Sequence, residues 1–326
     1  MINEAARYFQ RLQVEGQAVH EDSASPTVDD RRRSLLMTAG ELAGRLRAGG
    51  KQVPVIVDCR FNLADPEAGR RAYLLEHLPG AWFADLNRDL SAAPGPGTGR
   101  HPLPEPRQLR ALFEGFGIND SSLVVAYDAG GGMLAARVWW LLRWMGHRAV
   151  VVLDGGFQAW QQAGFPVDSA LPQAGRVPSG QQIREQRFQG EPGNMPVMTT
   201  AQIGEALTTG SIRLLDVRSA ERFQGQVEPI DPVAGHVPGA INAPCTDNLD
   251  AEQRFLAGTA LRARYAPLIA GYSGPEIVCM CGSGVTACHG IMALELAGIP
   301  DAALYPGSWS EWIQSPDRPV AGLESR

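Results

Sequence analysis

Short runs of β-branched and apolar residues alternate with helical patterns along most of this chain. Val53–Val57, Leu123–Tyr127 and Ala149–Leu153 lack the polar alternation of a half-exposed strand and read as parallel strands buried on both faces. Thr38–Ala48, Glu105–Phe116 and Leu134–Met145 carry apolar residues at helical spacing, and Gly146 is placed to end the last of these. Strand–helix alternation predicts an α/β fold, a parallel sheet with helices on both faces.

The pattern is written twice. Val55-Ile56-Val57-Asp58-Cys59-Arg60 returns as Arg213-Leu214-Leu215-Asp216-Val217-Arg218, and His77-Leu78-Pro79-Gly80-Ala81 as His236-Val237-Pro238-Gly239-Ala240. Leu123–Tyr127 matches Glu276–Met280, and Gly155-Gly156-Phe157-Gln158-Ala159-Trp160 matches Gly307-Ser308-Trp309-Ser310-Glu311-Trp312. Four landmarks in one order, about 150 to 160 residues apart, indicate a tandem duplication. The expected organisation is a polar leader over 1–36 with one short helix, a first domain over 37–167, a linker over 168–195 and a second domain over 196–326.

Composition narrows the function classes. A net charge of −6 and the lack of a basic stripe argue against a nucleic-acid surface. No apolar run approaches the roughly 20 residues that span a bilayer, so no membrane insertion is expected. Arg31-Arg32-Arg33 precedes an apolar stretch, but Glu41, Arg45 and Arg47 interrupt it too early for a signal-peptide core. The five cysteines are an odd number, and Cys279, Cys281 and Cys288 crowd together, which is no disulfide framework. A cytoplasmic protein is expected.

The chemistry concentrates where strand Glu276–Met280 runs into Cys281-Gly282-Ser283-Gly284-Val285-Thr286-Ala287 and a helical pattern over Ala287–Ala297. Ligands bind at the carboxyl ends of strands in such sheets. Two glycines let the loop curl so that backbone N–H groups converge on an anion, and the following helix adds its positive end. Such a setting favours thiolate over thiol and predicts a nucleophilic Cys281. The alternative is a small buried hydrophobe ending a core strand. In the first copy Asp128 stands at this position, before Ala129-Gly130-Gly131-Gly132-Met133. A carboxylate is no thiol nucleophile and is expected to be out of place in an anion nest, so this copy is expected to be silent.

The duplication, His-Val-Pro-Gly-Ala, Cys-Gly-Ser-Gly-Val-Thr-Ala-Cys-His and Tyr-Pro-Gly-Ser-Trp-Ser-Glu-Trp together resemble the two-domain rhodanese family of sulfurtransferases, over about residues 37–326. The resemblance implies tandem rhodanese-like domains. It also implies transfer of a sulfur atom, through a persulfide on Cys281, from a small donor to a thiol or cyanide acceptor. Thioredoxin is a possible acceptor, and no cofactor or metal is implied. The neutral Gly282-Ser283 resembles the loop of 3-mercaptopyruvate sulfurtransferases rather than that of thiosulfate enzymes, which carry Arg and Lys there. Arg222 matches the family arginine that binds the donor's anionic group, with Gly282, Gly284, Val285 and Thr286 forming the rest of the donor site. His101 matches a histidine that reaches from the silent domain and acts with Ser283 and an acidic residue as a relay. Asn87 stands at the acidic position, with Asp85 and Asp89 nearby. A second family arginine, nine residues after the first, is replaced here by Asp231.

The bland alternatives are a surface arginine paired with Glu221 or Glu228, and a solvent histidine on a Pro-rich loop. Asp58, Arg60, His77, Asp216, Arg218 and His236 recur in both copies and read as structural. Cys59 and Cys245 read as core or surface thiols, and Trp309 and Trp312 as core aromatics. Three other functions fit parts of the pattern. A phosphatase needs an arginine where Ala287 stands, a metal or redox module would use Cys279, Cys281, Cys288 and His289, and a sulfur carrier would differ only in turnover.

Overall fold

The computed structural model describes residues 27–50, 53–172 and 187–322. Residues 1–26 of the expected leader and 173–186 of the expected linker lie outside the described residues.

The first sheet contains β1 (Leu36–Met37), β2 (Val55–Asp58), β3 (Trp82–Phe83), β4 (Val124–Tyr127) and β5 (Val150–Leu153), in the order β1-β5-β4-β2-β3. The second contains β6 (Arg213–Asp216), β7 (Ile241–Asn242), β8 (Ile277–Met280) and β9 (Ala303–Leu304), in the order β7-β6-β8-β9. Every pairing within them is parallel. A parallel bridge from Val197 to Leu304 stands where β1 stands in the first copy. The duplication read from four sequence landmarks is thus a duplication of strand order.

The helices fall close to the expected places: α1 (Val28–Leu35), α2 (Ala39–Ala48), α3 (Ala68–Leu75), α4 (Pro106–Gly115), α5 (Ala135–Trp144) and α6 (Gly156–Gln162) in the first half. The second half has α7 (Thr200–Thr209), α8 (Ala220–Phe223), α9 (Gly258–Tyr265), α10 (Ala287–Leu296) and α11 (Ser308–Trp312). Thr38 and Thr199 cap α2 and α7 in the same way. Each hydroxyl accepts the N–H three residues on, and Glu41 or Gln202 reaches back to the cap. Helix α1 lies within the segment read as a polar leader, yet it packs on β5 and α10. Its Arg32 joins Asp154 of the first half to the Phe255 and Leu256 carbonyls of the second.

Strand residues alternate between two environments. Val125, Tyr127, Val151 and Leu153 pack on the outer face of the first sheet, and Leu214, Val278 and Met280 on that of the second. The intervening Val57, Val124, Ala126, Val150, Val152, Leu215, Ile277 and Cys279 belong to one core shared by both halves, with α5 and α10 packed together inside it. Because the inner faces bury each other, the loops that follow β4 and β8 are held in fixed relation.

Arg137 on α5 fastens this interface. It is fully buried and donates to carbonyl oxygens: Leu90 and His101 at 3.3 Å, and Pro102 and Gly284 at 3.4 Å. Methionine matches its length but leaves those carbonyls without that donor. Arg137→Met is therefore expected to lower the unfolding free energy by at least about 3 kcal/mol. The measurement is the urea midpoint, and a loss below about 1 kcal/mol would contradict this role.

Candidate active site

Cys281 follows β8 directly and is 2% exposed. Its Sγ accepts the Gly284 N–H at 3.1 Å, so the loop curls back onto the sulfur. Gly284 adopts φ +79°, and a β-carbon there would lie 2.4 Å from the Pro306 carbonyl oxygen, so no other residue fits this turn. The N–H groups of Ser283, Val285 and Thr286 make no hydrogen bond among the described residues, and no side chain caps α10. This is a ring of donors with unused capacity at a helix N-terminus.

The first copy shows what such a ring accepts. The Asp128 carboxylate takes the N–H groups of Gly130 and Gly132 at 3.0 Å, Leu134 at 2.8 Å and Ala135 at 3.2 Å. The expectation that a carboxylate is out of place there is corrected: Asp128 fills the nest and caps α5. In the first copy the loop binds a fixed carboxylate, and in the second the Cys281 sulfur stands in its place and takes the Gly284 N–H.

Each loop is covered by a strap from the opposite half. Leu249, Gln253 and Phe255 lie against Gly130, Gly131 and Gly132, and His289 Nε2–H donates to the Gly131 carbonyl at 3.1 Å. Reciprocally, residues 97–101 lie over the second loop. The Gly99 and Arg100 N–H groups donate to Glu311 and Ser310 of α11. This docking brings in His101, which is 4% exposed and so not a solvent histidine.

His101 Nδ1 lies 2.7 Å from Ser283 Oγ, and Nε2 lies 3.1 Å from Asn87 Oδ1. An amide oxygen only accepts, so Nε2 carries the proton and Nδ1 accepts from the Ser283 hydroxyl. Asn87 thus completes the geometry of the relay in place of an acid. Burial, aided by Arg137 and Arg100, pushes the His101 pKa down to about 4, so the ring is neutral at pH 7. Asp85 and Asp89 do not take the acidic place: Asp85 Oδ1 accepts the Asn87 and Arg88 N–H groups, and Asp89 accepts that of Asp85.

Arg222 on α8 pairs with Glu228 at 2.7 Å, as in its bland reading, and also with Asp231 at 3.3 Å. It is nonetheless at the loop: a β-carbon on Gly282 would lie 3.6 Å from both of its Nη atoms. Burial alone would raise the Glu228 carboxyl, but Arg222 and the Asp231 and Ile230 N–H groups hold it below its ordinary value.

Three contributors escaped the sequence reading. Arg100 Nη2 would lie 3.3 Å from a β-carbon on Gly282, and its only sequence signal was adjacency to His101. Arg137, a charged residue inside an apolar helical pattern, reaches the Gly284 carbonyl from below. Ser308 accepts the Cys281 N–H at 3.1 Å and donates to the Tyr305 carbonyl at 2.8 Å, from a left-handed backbone with φ +53°. Its counterpart in the first copy is Gly156, at φ +55°.

The recurring residues are framework. Asp58–Arg60 and Asp216–Arg218 are buried ion pairs at 2.7 and 2.6 Å, and His77 and His236 each bond a nearby backbone carbonyl at 2.7 Å. All five cysteines are free. Burial pushes the Cys245 and Cys288 thiols up to about 12 and raises Cys59 and Cys279 as well. Trp309 and Trp312 are buried, with Arg218 stacked on Trp309. Among the described residues no group of three or more His, Cys, Asp or Glu side chains is arranged to hold a metal ion, and none of the helices is long and apolar enough to cross a membrane.

The rhodanese-like domain family matches residues 38–163 and again 199–315. The chain belongs to the rhodanese family and is a two-domain sulfurtransferase. It is 48% identical to the "Probable 3-mercaptopyruvate sulfurtransferase" of Pseudomonas aeruginosa, over 88% of this chain and 97% of that one. It is 41% identical to the "Putative thiosulfate sulfurtransferase SseB" of Mycobacterium tuberculosis, over 89% of this chain and 97% of that one. The 3-mercaptopyruvate sulfurtransferase from Leishmania major superposes with a TM-score of 0.71 at 29% identity, covering 85% of this chain and 74% of that one.

Two outcomes follow from the site. Ser308→Ala keeps the strained backbone and strands the Cys281 N–H, so a loss of about 1–2 kcal/mol is expected, part of which Ser308→Gly recovers. Urea unfolding measures both, and a glycine variant less stable than the alanine variant contradicts the strain account. Burial also lowers the His289 pKa to about 4. His101 and His289 refuse protons that the unfolded chain binds from about pH 6.5 downward. Stability is therefore complete above that pH and falls toward pH 4, by about 2 kcal/mol per histidine at pH 5. Urea midpoints at pH 7 and pH 5 should show a smaller drop in His289→Gln than in the wild type. Equal drops would refute this linkage.

Proposed function

We propose that Cys281 is the sulfur carrier and that the preferred donor is 3-mercaptopyruvate. The observation that carries this reading is the contrast between the two nests. One is filled by the Asp128 carboxylate, while in the other Cys281 Sγ takes the Gly284 N–H and the Ser283, Val285 and Thr286 N–H groups make no hydrogen bond among the described residues. A ring suited to a fixed anion also suits a thiolate and, after transfer, a persulfide.

In the first half-reaction the Cys281 thiolate attacks the donor sulfur. A sulfur–sulfur bond forms, the carbon–sulfur bond breaks, and the donor's thiol proton passes to the carbon of the departing pyruvate. With thiosulfate the bond broken is sulfur–sulfur, and sulfite leaves. In the second half-reaction an acceptor thiolate or cyanide attacks the terminal sulfur and restores the Cys281 thiolate, which makes the kinetics ping-pong. The loop N–H groups supply the charge stabilisation, so no cofactor takes part.

The other site residues have roles in this scheme. Arg222 holds the donor carboxylate, with the backbone of Gly282, Gly284, Val285 and Thr286 around the reacting sulfur. Neutral His101 fixes the Ser283 hydroxyl as a donor toward Nδ1, which leaves the serine oxygen free to accept the donor's S–H. The neutral Gly282-Ser283 favours a monocarboxylate over a dianion. The acceptor is a small thiol or a thioredoxin-type protein, and five unpaired cysteines fit a reducing cytoplasm. The first domain (37–167), its linker (168–195) and the second domain (196–326) divide the labour, with chemistry in the second only.

Intact-mass spectrometry after donor treatment is expected to add one sulfur to the wild type and none to Cys281→Ala. Peptide mapping should find it on Cys281 and not on Cys59. Equal loading of both proteins would overturn the assignment.

A further inference from the structure

Asp231 sits between two guanidinium groups that come from different halves of the chain. Arg100, carried on the strap of the first half, pairs with its Oδ1 at 2.6 Å, and Arg222, on α8 of the second, with its Oδ2 at 3.3 Å. The Asp231 side chain is 3% exposed, so the carboxylate is enclosed by its partners rather than by water. Both guanidiniums reach within 3.6 Å of where a Gly282 side chain would begin, one residue from Cys281. Arg100 retains a buried Nε–H without a partner among the described residues, a donor left over beside the loop.

The charges around this point nearly cancel. Arg218 pairs with Asp216 and Glu228, Arg222 with Glu228 and Asp231, and Arg100 with Asp231. Three cations of this cluster therefore meet three carboxylates, so Arg100 and Arg222 offer directed hydrogen bonds with little surplus charge of their own, while Arg137 beneath the loop is engaged by backbone carbonyls. A planar monocarboxylate gains from paired N–H donors. A small dianion depends more on net positive charge, because its attraction scales with its own charge.

We infer that Asp231 determines donor specificity: it places Arg100 beside Arg222 as a second donor clamp supplied by the silent half, and it cancels the charge that would draw a dianion. The inference rests on the sulfurtransferase reading above and extends it to residues that the sequence left unassigned or as a missing clamp. Its covalent step is the one already written, so only donor binding and selection change.

The test compares steady-state efficiency with 3-mercaptopyruvate and with thiosulfate in wild type, Asp231→Asn and Arg100→Gln. Asparagine keeps the shape and one acceptor oxygen but removes the charge. The ratio of thiosulfate to 3-mercaptopyruvate efficiency should rise at least about tenfold in Asp231→Asn, as expected for one unit charge acting on ligands of different charge. Arg100→Gln should raise KM for 3-mercaptopyruvate about tenfold or more while kcat changes less. A purely structural Asp231 would lower both efficiencies together and leave the ratio fixed, which overturns the inference. Arg100→Lys, which keeps the charge without the fork, covers the case in which Arg100→Gln fails to fold, and an unchanged KM in it counts against the clamp. Wild-type protein that gains no sulfur on Cys281 from either donor would overturn the parent reading as well. Sulfur loading with an unmoved ratio would overturn this inference alone.

Discussion

A closed ring of backbone N–H groups at the end of a buried strand has to be given a negative charge or a hydrogen-bond acceptor, and much of this molecule is arranged around two such rings. Peptide donors buried without partners cost on the order of 1–3 kcal/mol each, so an empty ring is not a neutral feature. In the first half Asp128 takes four of these N–H groups and caps α5. In the second half Cys281 takes the Gly284 N–H, and the Ser283, Val285 and Thr286 N–H groups make no hydrogen bond among the described residues. The same backbone therefore stabilises one domain and equips the other for chemistry.

The shared core explains why the second ring can be read by residues of the first half. Inner faces that bury each other fix the two sheets, and Arg137 ties the strap carbonyls to the Gly284 carbonyl beneath the loop. His101, Asn87 and Ser283 are then brought into one hydrogen-bonded line although 182 positions separate the histidine from the serine. Desolvation keeps the imidazole neutral, so this line orients a hydroxyl rather than storing a proton near neutral pH.

Much of this was legible in the sequence. Duplication, the strand–helix alternation and the glycine spacing around Cys281 are local patterns, and the strands and helices lie within a few residues of where periodicity put them. Of the cross-domain contacts, the meeting of His101 with Ser283 was expected from the family resemblance alone, while the pairing of Arg100 with Asp231 was not legible, because it depends on how the strap folds over α11, which no periodicity encodes. Asp128 shows a different failure. Its sequence neighbours were read correctly as a nest, but the sign of the interaction was misjudged, since a single carboxylate is what a nest attracts. Ser308 carried a signal that went unused: it occupies the place of Gly156, and a serine in a left-handed conformation is held there by its hydroxyl.

The two straps reach across in opposite directions, one following edge strand β3 and resting on the loop after β8, the other following edge strand β7 and resting on the loop after β4. Residue i meeting j while the counterpart of j meets the counterpart of i is the bookkeeping of a two-fold axis, here enclosed within one polypeptide. In a dimer of identical subunits every substitution on a strap would strike both loops at once. Within a duplicated chain that coupling is broken. Leu249 and Phe255 can seal one loop with hydrocarbon while Arg100 and His101 furnish the other with charge and a hydroxyl partner. The approximate symmetry preserves the docking, and its local violation gives the two loops different chemical surroundings.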